Sequence, residues 1–89
     1  DRLRGAILLQ DLRREWSEDE TLLVAWLVER GLPVLIAFTK ADKLGAAERG
    51  RRVRALTARA GVPAERCILT SAKTGEGIES LWRAIDGLL

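Results

Sequence analysis

Three short apolar runs constrain the fold of this chain more than any other feature: GAILLQD at 5–11, VLIAFT at 34–39 and RCILTS at 66–71. A strand with one face in water alternates apolar and polar residues. A nearly continuous apolar run suits a strand covered on both faces, as in a parallel sheet. The stretches between the runs read as helices. SEDETLLVAWLVERG opens on Ser17 with Glu20 three residues on, a capping-box signature, and Gly31 followed by Pro33 marks its stop. Leu22, Leu23, Trp26 and Leu27 predict its inward face. A second helix is expected over roughly 46–60, with Val53, Leu56 and Ala60 on one side, closing at Gly61 and Pro63. A third runs from about Gly77 to the end, with Ile78, Leu81, Trp82, Ile85 and Leu88 on one stripe. Trp26 and Trp82 are expected in the core. Trp16, just before a cap, is expected to pack on the first turn of its helix.

The order β-α-β-α-β-α predicts an α/β fold, three parallel strands covered by helices in three layers. Right-handed crossovers return every strand in the same direction, so the carboxyl ends of all three share one edge. Ligands of open α/β sheets bind at that edge. At 89 residues the chain holds one domain at most, and one this short buries only about 60–65% of its unfolded surface. It has no methionine and opens on DRLRGAILL, which reads as a piece cut from something longer.

Composition narrows the function. With 47% hydrophobic and 31% charged residues the chain reads as a soluble globular domain, and no apolar stretch approaches the ~18 residues of a membrane span. Cys67 is the only cysteine, which excludes an internal disulfide framework and suits a reducing, cytoplasmic setting; a small buried hydrophobe on a strand is its expected role. With no histidine there is no transition-metal site to argue for. Between Gly45 and Gly61 stand Arg49, Arg51, Arg52, Arg54 and Arg59 against Glu48 alone. A solvated helix face is one reading of that run. A surface docking on phosphate backbones is the other.

Two strand-end segments carry the chemistry: TKAD at 39–42 and TSAKTGEG at 70–77. Adjacent strands lie about 4.8 Å apart, so if these strands pair, the two loops pinch a flat ligand between them. Asp42 offers two acceptor oxygens, and guanine offers two adjacent donors, N1–H and its 2-amino group. Adenine lacks that donor pair. Charge-assisted bonds of this kind contribute about 1.5–3 kcal/mol each. The aliphatic stems of Lys40 and Lys73 suit the two faces of a purine, the Ala72 N–H suits guanine O6, and the Ser71 hydroxyl suits the carboxylate. Taken singly, Asp42 also suits a helix start, and Gly75 and Gly77 suit ordinary turns.

TKADKL followed by TSAKTGEGIESL resembles the base-recognition loops of P-loop GTPases, the [N/T]KxD and SAK motifs. LRGAILLQDLR, Trp26, ERGLPVLIAFTKADKL and GEGIESLW together resemble the second half of the EngB/YsxC ribosome-biogenesis GTPases, a group similar to Era and EngA. The resemblance implies that residues 1–89 are the C-terminal, guanine-recognition part of a single GTPase domain. It implies GTP and GDP as ligands, Mg²⁺ and slow GTP hydrolysis in the parent protein, and a role in large ribosomal subunit assembly and division septum formation with ribosome or rRNA as partner. It assigns Thr39, Lys40, Asp42, Ser71, Ala72 and Lys73 to nucleotide binding. Asp11 and Arg13 match a D-x-R pattern after the first strand, to which no chemistry is assigned.

The chain departs from the family in lacking G-x-x-x-x-G-K-[ST] and a D-x-x-G before its first strand. Phosphoryl transfer depends on groups placed by such motifs. The chain alone is therefore expected to be inactive, and its first strand is expected to offer a bare edge that favours self-association. A non-enzymatic RNA- or ribosome-interaction module using the Arg49–Arg59 helix is the alternative. A receiver-like or flavodoxin-like fragment is a weaker one that the KAD spacing does not favour.

Overall fold

The computed structural model describes residues 4–88. Its elements are β1 (Ala6–Asp11), α1 (Glu18–Glu29), β2 (Val34–Thr39), α2 (Ala46–Ala60), β3 (Cys67–Leu69) and α3 (Ile78–Leu88), with short 3₁₀ turns at Ala41–Lys43 and Ala64–Arg66. The strands form one parallel sheet in the order β1-β2-β3, with Ala6 opposite Val34, Asp11 opposite Thr39 and Ile36 opposite Cys67. The third run is strand for only three residues. The chain leaves the ladder after Thr70, whose N–H still bonds Phe38 O, and turns over Ser71, so RCILTS is strand in its middle and loop at its end. The expected end of the third helix, Leu89, lies outside the described residues.

Two right-handed crossovers stepping the same way across a sheet put both helices on one face. That face holds the core. Val34, Ile36 and Phe38 meet Val24 and Leu27 of α1, Leu56 and Ala60 of α2, and Leu12 and Trp16 of the first loop. Leu35 and Ala37 point the other way and are also buried, and α3 lies on that side, with Ile78 and Leu81 bordering a cleft beside Ala37. Residues 34–38 are thus buried on both faces, which is why this run shows no alternation.

The helix ends follow local chemistry. Ser17 accepts from the Glu20 N–H while the Glu20 carboxylate accepts from the Ser17 N–H at 2.7 Å, a complete capping box. Trp16 is 3% exposed and donates its indole N–H to Thr21 Oγ1 at 2.8 Å, packing on the first turn as expected. α2 ends on Gly61 in the left-handed conformation, φ 70°.

The inward face of α1 differs from the one expected. Val24 and Leu27 are its buried residues, whereas Leu22, Leu23, Trp26 and Val28 are exposed. Residues 22–28 are apolar throughout, so periodicity selected no face and packing chose one. Trp26 lies outside, with the Arg30 guanidinium 3.8 Å over its ring, and Trp82 is 62% exposed. Cys67 is half-buried, its thiol donating weakly to the Pro63 carbonyl, and burial pushes its pKa up. β1 pairs with β2 alone among the described residues, and Ile7 and Leu9 on its α3-side face are exposed.

Candidate functional site

At the end of β2 the backbone reverses sharply. Lys40 adopts the left-handed conformation, φ 67°, the one non-glycine residue with positive φ among those described. The turn that follows buries Ala41 and brings Asp42 over the sheet edge. A left-handed lysine costs about 1–2 kcal/mol, and such strain clusters where a loop's shape is used.

The loop after β3 stands directly beside this turn. Thr70 extends the ladder, its N–H donating to Phe38 O at 2.7 Å, and its carbonyl accepts from the Ala41 N–H at 3.1 Å. Ser71 is fully buried and donates its hydroxyl to Asp42 Oδ1 at 2.6 Å. The same hydroxyl oxygen accepts from the Thr74 N–H at 3.2 Å, and the Ser71 backbone bonds Gly75 and Glu76. One serine thus folds its own loop and holds the neighbouring carboxylate. The Ala72 N–H meets no acceptor among the described residues.

Between the loops lies an open cleft of about 450 Å³. Thr39, Lys40, Asp42, Ala72 and Lys73 line its polar side, and Ala37, Ile78 and Leu81 form an apolar wall. Five of the six residues singled out in the sequence line this cleft, and the sixth, Ser71, lies beneath it. The Asp42 side chain is only 12% exposed, with Lys43 Nζ at 4.0 Å from Oδ2. The Ser71 bond chiefly, helped by Lys43 and Lys73, holds the Asp42 carboxyl below the usual carboxylate range. Asp42 is therefore an anion at neutral pH, and one serine bond leaves lone pairs on both its oxygens. Among the described residues no three His, Cys, Asp or Glu side chains cluster as a metal site.

The loop after β1 completes the edge. Asp11 accepts two bonds from the Arg13 guanidinium and one from its backbone N–H, at 2.9–3.1 Å. This holds the Asp11 pKa at about 2 against an ordinary 3.8. A carboxyl depressed by folding stabilises above its unfolded pKa, and that contribution fades as pH falls through the folded one. The pair is partly exposed and screened, so about 0.5–1 kcal/mol is at stake. Urea denaturation of Asp11→Asn is expected to be weaker than the parent chain at pH 6 and to converge with it between about pH 4 and 2; parallel curves would contradict this. Gln10 is 5% exposed, and its polarity has a reason in place: Nε2 donates to the carbonyls of Asp11 and Arg14.

The sequence reading missed two residues on α2. Arg52 donates to Leu12 O at 2.9 Å and to Arg14 O at 2.5 Å, and Arg49 donates to Ala41 O at 3.1 Å and to the Glu76 carboxylate. By charge alone both belong to the basic run for which a solvated face and a phosphate-docking surface are the two readings. Their spacing carried a signal, because 49, 52, 56 and 60 share one helical stripe with the buried Leu56 and Ala60. Arg51 pairs with Glu48.

An open parallel sheet with a TKAD turn and an SAK loop side by side on its carboxyl edge is the architecture of a P-loop GTPase fold, seen in part. A crystal structure of a probable GTP-binding protein EngB superposes with a TM-score of 0.78 at 24% identity, over 99% of this chain and 57% of that one. In sequence the chain is 36% identical to the probable GTP-binding protein EngB of Desulforapulum autotrophicum over 98% of its own length and 45% of the relative's. It is 37% identical to that of Syntrophomonas wolfei over all of its own length and 46% of the relative's. No protein-family model matches the chain. The chain is similar to these EngB proteins over nearly all of its own length, and it spans about half the length of the curated relatives it matches.

Proposed function

We propose that residues 1–89 form the C-terminal, guanine-recognising part of a GTPase domain. Asp42 reads the N1–H and 2-amino edge of the base, Lys40 and Lys73 cover its faces, the Ala72 N–H meets O6, and Thr39 and Ser71 hold the loops. The observation that carries this reading is the Ser71 Oγ–Asp42 Oδ1 bond, which ties the two loops together and keeps an anionic carboxylate at a purine-sized cleft. The names of the relatives, GTP-binding proteins, agree with it.

The residues present suit the base half of GTP or GDP. They do not suit the rest: no phosphate-loop motif occurs in the sequence, its single D-x-x-G match is the DKLG at 42–45 that follows β2 rather than a site before β1, and no three His, Cys, Asp or Glu side chains gather as a metal site among the described residues. No hydrolytic step is assigned to this chain. GTP hydrolysis with Mg²⁺, large ribosomal subunit assembly and septum formation are proposed for the longer protein, on the resemblance alone. A cytoplasmic setting is proposed on the same ground; no helix among the described residues is long and apolar enough to cross a membrane. The RNA-binding reading of α2 loses ground, because Arg49 and Arg52 are spent on the loops and Arg51 on Glu48. Self-association through the open edge of β1 stays within the proposal, and sedimentation giving a monomer at high concentration would remove it.

The test is Asp42→Asn. An amide presents a donor where the carboxylate accepted, and xanthine presents a carbonyl where guanine has its amino group. Titration with GDP and XDP by NMR is expected to show the preference shifting toward XDP by about 100-fold, the worth of one or two charge-assisted bonds. An unchanged GDP-to-XDP ratio would take Asp42 out of the base-reading role.

A further inference from the structure

Five groups close a ring that joins the two loops, meeting the cleft at Asp42. Ser71 Oγ donates to Asp42 Oδ1 at 2.6 Å, and Ser71 N–H donates to Glu76 O at 3.0 Å. The Glu76 carboxylate accepts from Arg49 Nη2, and Arg49 Nε donates to Ala41 O at 3.1 Å. Ala41 is covalently joined to Asp42, which completes the circuit. Only Arg49 comes from outside the two loops. Its side chain is 26% exposed, and its planar fork donates in two directions at once, to a carbonyl of one loop and a carboxylate of the other.

We propose that Arg49 is the positioning residue of this site, locking the TKAD turn and the SAK loop into one unit so that Asp42 is held ready for its ligand. The proposal rests on the base-reading role of Asp42 for its functional meaning, but not for its structural content. The TKAD turn is already tied to the end of β3 by Ala41 N–H on Thr70 O, but residues 72–76 bond outside their own loop only at the start of α3, where Gly75 O accepts from Ile78 N–H at 3.3 Å, and through Glu76 to Arg49. Without Arg49 the ring opens, and Glu76 keeps only its bonds within its own loop, to Ser71 and Thr74. The Ser71–Asp42 bond is then the one side-chain bond among the described residues that still ties this loop to the TKAD turn. The two loops, now one cooperative unit, would open separately. Arg49 thereby makes the orientation of α2 a determinant of the cleft's shape.

The test uses the chain as it stands and reads amide hydrogen exchange residue by residue. Arg49→Gln keeps most of the stem and the helix propensity but removes the charged fork. Exchange at Ser71, Gly75 and Ala41 is expected to accelerate about tenfold, the worth of one hydrogen bond to a charged group, while the β1–β2 ladder amides stay as they were. Arg49→Lys recovers little of the protection, since one ammonium does not span both acceptors. The exchanged pair Arg49→Glu with Glu76→Arg recovers more than either single variant. With GDP and ADP as probes, Arg49→Gln is expected to lower the GDP preference about tenfold. Unchanged loop exchange, or acceleration shared equally by the ladder, overturns the proposal. Failure of the Asp42→Asn experiment alone would remove base reading and leave the coupling standing; failure of the exchange experiment alone would do the reverse.

Discussion

Replacing Gly77 with alanine is expected to unfold the chain or cost it at least about 3–4 kcal/mol, among the largest effects a single methyl group produces. Gly77 has φ +74°, and a Cβ there would lie 1.9 Å from Leu69 O, 3.0 Å from Leu69 C and 3.3 Å from Thr70 Cα. Those atoms cannot retreat, because the Thr70 N–H on Phe38 O and the Thr70 carbonyl on Ala41 N–H hold that backbone in the sheet and the loop. Two residues away, Gly75 has φ +84° with nothing within 4 Å of its added Cβ. Gly75→Ala should therefore show the conformational penalty alone, about 1–2 kcal/mol. Guanidinium denaturation of the two variants separates these terms, and equal midpoints would mean that the close approach at Gly77 is relieved by movement.

Phe38→Ala is expected to cost about 3–5 kcal/mol, a large part of the stability of a domain this size. Phe38 is fully buried in the central strand and belongs to the cluster with Leu12, Trp16, Leu56 and Ala41. Its carbonyl also accepts both the backbone N–H and the hydroxyl of Thr70. Removing the ring opens a cavity directly under the two loops, so the loss should appear in their exchange protection as well as in the global midpoint. Leu9→Ala is the comparison: the side chain is 73% exposed, and a change within about 0.5 kcal/mol is expected. A Phe38→Ala chain as stable as Leu9→Ala would mean that the core is not organised around β2.

Element type and order were legible because they depend on local pattern. VLIAFT is a strand from its first residue to its last, and Ser17 with Glu20 marks the start of α1 to the residue. The strand ends put TKAD and TSAK on one edge before any contact was known. Facing was legible only where the pattern broke. In α2, Leu56 and Ala60 stand out among charges and are buried. In α1, seven apolar residues in a row left the choice to tertiary packing, and Trp26 and Leu22 went to the outside. The same limit hid Arg49 and Arg52. An arginine on an inward stripe is read as solvated until backbone carbonyls from distant loops are found beneath it, and those meet only after the crossovers have formed.

The order β1-β2-β3 also sets a timetable for synthesis. Ala6 waits for Val34, and Ile36 waits for Cys67, so each strand leaves the translation machinery well before its partner. Non-local parallel pairing is intrinsically slow. The Ser71–Asp42 contact spans 29 residues and depends on the β2–β3 pairing, so it is expected to form late, and a folding-rate comparison of Ser71→Ala with the parent chain should show faster unfolding with little change in folding rate.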